Sequence, residues 1–450
     1  MGVLFGTDGI RGIANEELTP EMAYRIGQAG AYVLTQHKRE GRPVIYIGRD
    51  TRISGNMLEC ALAAGICSVG GDVHLLGVVP TPAVAYLTRG QDADAGVVIS
   101  ASHNPFQYNG IKFFNNEGYK LNDDIEAEIE GHILDNNKDI PLSTGGDLGR
   151  VTTDTDKVQD YLNYIKNSAD ADLSGYKIVM DCANGATSAL AGKLFSDAGA
   201  EVIVMHAEPN GININKDCGS THMEGLMKKV VEEKADIGFA FDGDADRFLA
   251  VDDTGALVDG DVLMMICSKY LKDTGKLANN TLVATVMSNL GLFIAAKENG
   301  IDVLQTKVGD RYVLEEMLKG GHCIGGEQSG HIIFLQHNTT GDGMLTAMQL
   351  MNVLAHKKQK LSEMKDIVTI LPQVIKNAKV KNENKAIFME DEQVKSRIDE
   401  LNQKFDGNGR VLIRASGTEP LVRVMLEGTD LDEIERDAAE LAEMIQTKFY

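Results

Sequence analysis

A chain of 450 residues is too long for one compact core and, at about 100 to 150 residues per domain, reads as three or four domains. Hydrophobic residues make up 43% and charged residues 24%, as in an ordinary soluble protein, while the lack of Trp and only 6% aromatics argue against a base-stacking nucleic-acid surface. The formal net charge of -22 repels polyanions and anionic membranes, so an anionic substrate must be drawn in by a local cluster of Arg and Lys.

The first helix is announced by Thr19 as N-cap and Pro20 at its first position. Strand-like runs at Val44 to Gly48, Asp72 to Leu76 and Ala95 to Ile99 then alternate with helical stretches, which is βαβ patterning. The cycle returns at Lys177 to Asp181, Glu201 to Met205 and Asp236 to Phe241, and again at Leu282 to Val286, Val303 to Thr306 and Cys323 to Glu327. Turn-rich stretches at Asp135 to Gly149 and Asp252 to Gly260 are candidate boundaries. The charged, Asn-rich segment Lys376 to Phe405 leads into strands Val411 to Ala415 and Leu421 to Glu427 and a helix from Leu431. The expected fold is α/β: three similar mixed α/β domains (1–150, 151–255 and 256–370) plus a smaller C-terminal α+β domain (371–450). The six cysteines, Cys60, Cys67, Cys182, Cys218, Cys267 and Cys323, contain no CxxC pair and read as reduced core residues. No basic region followed by an apolar stretch trails Met1, and no apolar run nears the roughly 20 residues of a membrane span, so the expected location is cytoplasmic, without membrane or nucleic-acid partners.

Four segments carry chemistry. In Ile99-Ser100-Ala101-Ser102-His103-Asn104-Pro105 a serine stands where a strand ends, a usual place for ligands in open α/β sheets, although Ser102 and Asn104 could also simply satisfy a turn. The flanking glycines of a hydrolase nucleophile elbow are missing, which disfavours acyl transfer. In Asp242-Gly243-Asp244-Ala245-Asp246-Arg247 the alternate carboxylates would repel one another unless a hard cation such as magnesium sat among them. A calcium EF-hand would need Gly where Arg247 stands and Glu where Asp253 stands, and it joins two helices rather than following a strand. In Arg414-Ala415-Ser416-Gly417-Thr418-Glu419-Pro420, with Arg423, two guanidiniums, two hydroxyls and a glycine make a phosphate cradle, or else a Gly-Pro turn whose arginines pair with surface acids. In Gly325-Gly326-Glu327-Gln328-Ser329-Gly330-His331 polar side chains between glycines could reach sugar hydroxyls. Lys112, ten residues past Ser102, could return beside it across a hairpin, and Arg11 stands in another Gly-rich turn.

In this order FGTDGIRG, SASHNP, DGDADR, GEQSGH and RASGTEP resemble the α-D-phosphohexomutase family, with one motif per domain across essentially the whole chain. Ser100 and Gln328 resemble the phosphoglucosamine branch, where the mannose and glucose branch tends to carry Thr and Met. The resemblance implies a heart-shaped, four-domain molecule around a central cleft. It implies that Ser102 carries a phosphoryl group against one magnesium ion per chain held by Asp242, Asp244 and Asp246, so that Ser102 counts with the metal set. Glu327 and Ser329 would grip the sugar, and Arg414, Ser416, Gly417, Thr418 and Arg423 the phosphate not being transferred. Lys112 and His331 are open alternatives for acid and base, Arg11 and Arg247 would steady the phosphoryl group in flight, and His103 joins the catalytic set beside the serine. The implied reaction interconverts glucosamine 6-phosphate and glucosamine 1-phosphate, feeding amino-sugar nucleotide and cell-wall precursor synthesis. A glucosamine or glucose 1,6-bisphosphate serves as primer and intermediate. The implied partners are the small phosphosugar and a kinase able to load Ser102, in a monomer or homodimer. The same chemistry on glucose or mannose phosphates, a phosphosugar hydrolase and a phosphosugar-binding protein are the rivals.

Overall fold

A computed structural model of the chain describes residues 4–6, 8–36, 41–90, 93–416 and 419–450. It divides into two compact units, Met1–Met287 with Ile301–Asp366, and Ser288–Gly300 with Ile367–Tyr450.

The larger unit contains three sheets. In chain order the strands of the first are β1 (Phe5–Gly6), β2 (Gly9–Ile13), β3 (Val44–Arg49), β4 (Asp72–Val78), β5 (Ala95–Ile99), β6 (Tyr108–Asn115) and β7 (Val151–Thr153), arranged β1-β2-β6-β5-β3-β4-β7. The second contains β8 (Lys177–Asp181), β9 (Glu201–Met205), β10 (Ile237–Phe241), β11 (Phe248–Asp252) and β12 (Leu257–Val258), arranged β12-β11-β10-β8-β9. The third contains β13 (Thr281–Thr285), β14 (Asp302–Thr306), β15 (Ile324–Gly326) and β16 (Ile332–Phe334), arranged β14-β13-β15-β16.

One four-strand pattern recurs in all three. β4-β3-β5, β9-β8-β10 and β14-β13-β15 are parallel triplets, and each third strand turns back into an antiparallel neighbour, β6, β11 or β16. The tight returns β5–β6, β10–β11 and β15–β16 hold the Ser102, Asp242 and Glu327 segments respectively. Each return bends through a left-handed residue: Ser102 at φ 52°, Ala245 at φ 56° and Gly330 at φ 92°. Buried strands such as Ala95–Ile99 and Ile237–Phe241 are apolar along their whole length, as sheets covered on both faces require.

The smaller unit is an antiparallel sheet β17-β19-β18, from Gln373–Lys379, Leu421–Glu427 and Arg410–Ala415. Its core joins Val422, Val424 and Leu426 to Ile434, Leu441 and Ile445 of the helix Leu431–Phe449.

The candidate boundary Asp252 to Gly260 holds the β11–β12 hairpin followed by Asp259 capping a helix, because the Asp252 carboxylate accepts from the Thr254 and Ala256 amides and closes the turn. Two details differ from the sequence reading. The polar Lys376 to Phe405 segment begins inside β17, a strand with alternate exposed residues, and ends as the helix Glu392–Phe405. Cys60 is exposed on the helix Gly55–Ser68 rather than in the core; all six thiols are free.

Candidate active site

Lys112 lies on β6 opposite Val98 of β5, on the hairpin whose bend holds the serine loop, and Arg11 on β2 lies opposite Gly110 of β6. The serine loop then meets the aspartate loop of the next sheet. The Ser102 hydroxyl donates to Asp242 Oδ2 at 2.6 Å and lies 3.3 Å from His103 Nδ1. Gly243 makes this approach possible, since a Cβ there would stand 2.6 Å from the Ser102 carbonyl oxygen.

The three aspartates are buried and their carboxylate oxygens lie within 4.8 Å of one another. Burial, then repulsion from Asp246 and Asp244, pushes the Asp242 carboxyl well above the usual range, and burial with Asp244 raises Asp246. Asp244 goes the other way: burial would raise it, but the Lys112 ammonium at 3.0 Å and the Thr81 hydroxyl at 2.6 Å pull it below. Asp244 Oδ1 and Asp246 Oδ1 are buried without a hydrogen-bond donor. Repelling carboxylates with spare buried oxygens are the donor set a hard divalent cation takes, so these residues fit magnesium.

Lys112 is 2% exposed and lies 2.9 Å from Asp8 and 3.9 Å from Asp246. Burial alone would lower its pKa, but Asp244, Asp8 and Asp246 outweigh burial and push it up to about 12. The ammonium therefore keeps its proton at neutral pH. The His103 ring goes down to about 4, through burial and the neighbouring Arg247 and Arg11. His331 is buried, accepts from the Gly341 amide at Nε2 (3.3 Å) and leaves Nδ1 without a partner.

A cavity of about 470 Å³ takes in Arg11, His103, Asp246, Arg247, Glu327, Ser329 and His331, so the three sheets of the larger unit bring their motifs together. Glu327 is half-buried and accepts from the Gly309 amide at 3.1 Å, Ser329 is exposed, and the Gln328 amide donates to Asp259. In the smaller unit Arg414 and Arg423 are exposed and directly opposed across the β18–β19 ladder, a like-charge pair that an anion would relieve. Arg423 reaches Glu419 at 3.4 Å, and Ser416 Oγ accepts from the Glu419 amide. Gly417 and Thr418 lie outside the described residues.

Sequence reasoning missed several groups here. Asp8 pairs with Arg11, Lys112 and Lys120, and Lys120 also bridges to Asp310 at 2.5 Å. Asp8 stands within the quoted FGTDGIRG segment and could have been found there, whereas Thr81, Lys120 and Asp310 carry no local signal.

The chain matches four models in succession, described as phosphoglucomutase/phosphomannomutase α/β/α domain I over residues 2–139, domain II over 159–255, domain III over 259–370 and the C-terminal domain over 375–444. It belongs to the phosphoglucomutase/phosphomannomutase family. It is 59% identical over 448 residues to a phosphoglucosamine mutase of Acetivibrio thermocellus and 58% identical over 448 residues to one of Clostridium tetani, covering 100% of each chain. A crystal structure of a phosphoglucomutase/phosphomannomutase family protein from Burkholderia thailandensis superposes with a TM-score of 0.81 at 26% identity, over 99% of this chain and 98% of that one. The Aspergillus fumigatus N-acetylphosphoglucosamine mutase in complex with GlcNAc-6P and magnesium shares the fold at a TM-score of 0.68 and 17% identity, over 100% of this chain and 96% of that one. Among the described residues no helix is long and apolar enough to cross a membrane.

Proposed function

We propose that this chain is a cytoplasmic phosphoglucosamine mutase, interconverting glucosamine 6-phosphate and glucosamine 1-phosphate through phosphorylated Ser102 and a 1,6-bisphosphate. The observation that carries this reading is the Ser102 hydroxyl bonded at 2.6 Å to the first carboxylate of the aspartate loop. The whole-chain likeness to the phosphoglucosamine mutases of A. thermocellus and C. tetani supports the choice of sugar.

Asp242, Asp244 and Asp246 would hold magnesium, which would supply charge neutralisation and an open position for a phosphoryl oxygen. The rest falls to the chain's own residues. Phosphoryl transfer has a loose transition state, so positioning and charge neutralisation matter more than bond-making partners. In the first transfer the bond from Ser102 Oγ to phosphorus breaks as the sugar 1-oxygen bonds to phosphorus, a base takes the 1-hydroxyl proton, and Oγ leaves with a proton. In the second the bond from O6 to phosphorus breaks as Oγ bonds to phosphorus and gives up its proton, and O6 takes a proton. Lys112, whose pKa is pushed up to about 12, keeps its proton at neutral pH and so is not the base, which leaves His331 as the candidate base. Arg11 and Arg247 would neutralise the moving group, with neutral His103 beside Oγ. Glu327 and Ser329 would bind sugar hydroxyls, and Arg414, Ser416, Gly417, Thr418 and Arg423 the idle phosphate.

Incubation of wild type and Ser102→Ala with glucosamine 6-phosphate, magnesium and glucose 1,6-bisphosphate, read by phosphorus NMR, tests the proposal. Glucosamine 1-phosphate from wild type alone is expected. Turnover of glucose or mannose phosphate in its place would move the sugar assignment, and inorganic phosphate as sole product would sink the mutase reading.

A further inference from the structure

The serine loop is held from behind by a side chain that belongs to none of the motifs. Arg52 follows β3 on the turn Asp50-Thr51-Arg52, its side chain is 0% exposed, and it pairs with Asp50 at 2.8 Å. Its guanidinium donates to the carbonyls of Ser102 and Asn104, both at 2.9 Å, of Tyr108 at 3.0 Å, and of Pro105. Asp50 reaches the other side of the bend: it accepts from the Ser100 hydroxyl at 2.7 Å, and that hydroxyl accepts from the Ser102 amide at 2.9 Å. One buried ion pair therefore ties both flanks of the left-handed bend at Ser102. From the second sheet's side, Asn215 donates to the same two carbonyls, Ser102 and Asn104, at 2.8 and 3.1 Å.

Burying a guanidinium costs several kcal/mol unless its donors are matched, and here they are aimed at one loop. A non-glycine residue in the left-handed region costs about 1 kcal/mol and persists where its surroundings over-determine it. A loop that gains and loses about two negative charges in each cycle needs a support that does not move with them. A planar, permanently charged fork supplies one; a lysine's single ammonium cannot reach carbonyls spread over seven residues of loop.

We infer that Arg52, backed by Asp50, is a positioning residue that fixes the Ser102 loop for phosphoryl transfer without touching the sugar phosphate. The inference rests on the mutase reading proposed above. Arg52→Lys keeps the charge and loses the fork; Ser100→Ala and Ser100→Thr probe the same network with Arg52 in place. Arg52→Lys should lower kcat by about 10²-fold, as a misplacement of order 1 Å does, and slow single-turnover transfer from phospho-Ser102 by the same factor. KM for glucosamine 6-phosphate should stay within about threefold, because the sugar contacts are elsewhere. Ser100→Ala should lose about tenfold in kcat and Ser100→Thr, which keeps the hydroxyl, should not. Backbone hydrogen exchange over residues 100–110 should quicken in Arg52→Lys. An unchanged kcat in Arg52→Lys, or a loss carried by KM alone, overturns the inference. If Arg52→Lys fails to fold, the Ser100 pair decides, and equal kcat for Ser100→Ala and Ser100→Thr overturns it. A wild type that makes no glucosamine 1-phosphate would instead remove the mutase reading, and hydrogen exchange over the loop then decides whether Arg52 holds it.

Discussion

Ser102 and Asp242 stand 140 positions apart in the chain, yet the serine hydroxyl donates to the aspartate at 2.6 Å. They meet because each occupies the same return of the same four-strand pattern, one in the first sheet and one in the second. A repeated topology presents equivalent loops to a shared space, and Gly243 lets the two backbones close up.

Replacing the serine tests chemistry and backbone separately. Ser102→Ala and Ser102→Gly should both lower turnover by about 10³-fold or more, since neither can carry a phosphoryl group. Ser102→Gly should be the more stable by about 1 kcal/mol, because φ is 52° and glycine alone has no Cβ to strain there. Urea melts of the two variants check the second half. Equal stability would mean that the bend is not held in solution.

Removing the divalent cation should lower stability as well as activity. Burial and mutual repulsion raise Asp242 and Asp246, and spare oxygens on Asp244 and Asp246 have no donor. Magnesium at about 100 times its Kd should stabilise the folded chain by about 2.7 kcal/mol, seen as a rise in Tm of a few degrees over the chelated protein. Asp246→Ala should abolish most of that rise. A variant that gains as much as wild type would place the ion elsewhere.

The three parallel strands of each unit and the loops that follow them were legible from residue patterns, because fully buried strands such as Ile237–Phe241 are apolar throughout and end in a polar turn. The returning strands were harder. Tyr108–Asn115 mixes Tyr, Asn, Gly and Lys with two Phe, and its Lys112 is buried only because Asp8 and Asp244 wait for it. Such pairings join positions 104 and 132 residues apart, and no local period records them. Lys120 with Asp310 and Arg52 with the serine loop escaped for the same reason: each is a surface-like charge in sequence and a buried one in space.

Lys112 holds the aspartate loop together electrostatically. Lys112→Met leaves Asp244 buried without its ammonium and takes one of three cationic partners from Asp8, which should cost about 3 to 5 kcal/mol and most of the turnover. The cost should shrink in acid, since protonated carboxyls no longer need the partner, so denaturant midpoints of wild type and variant should converge between neutrality and low pH. A constant gap would assign the loss to packing of the aliphatic stem.

A further titration is built into the back of the site. Asp342 caps the helix Gly343–Lys357 by accepting from the Leu345 amide at 3.0 Å, and it also accepts from Tyr161 Oη at 2.8 Å and Asn338 Nδ2 at 2.9 Å. Burial nevertheless pushes its carboxyl up to about 6. Between the ordinary value of 3.8 and about 6 the folded chain therefore keeps a proton that the unfolded chain has released, so this group's contribution to stability is full below that window and is lost as pH rises through it. The change amounts to about 3 kcal/mol across the window. Asp342→Asn cannot ionise and keeps a capping oxygen, so the stability of wild type relative to this variant should fall as pH rises from 4 to 7, most of it before pH 6. Because the adjacent Gly343 amide donates to Ala245 of the aspartate loop at 2.9 Å, the same measurement made on turnover should show the variant losing less activity than wild type on mild heating at pH 7. A stability difference that is flat with pH would mean that the three donors keep Asp342 ionised throughout.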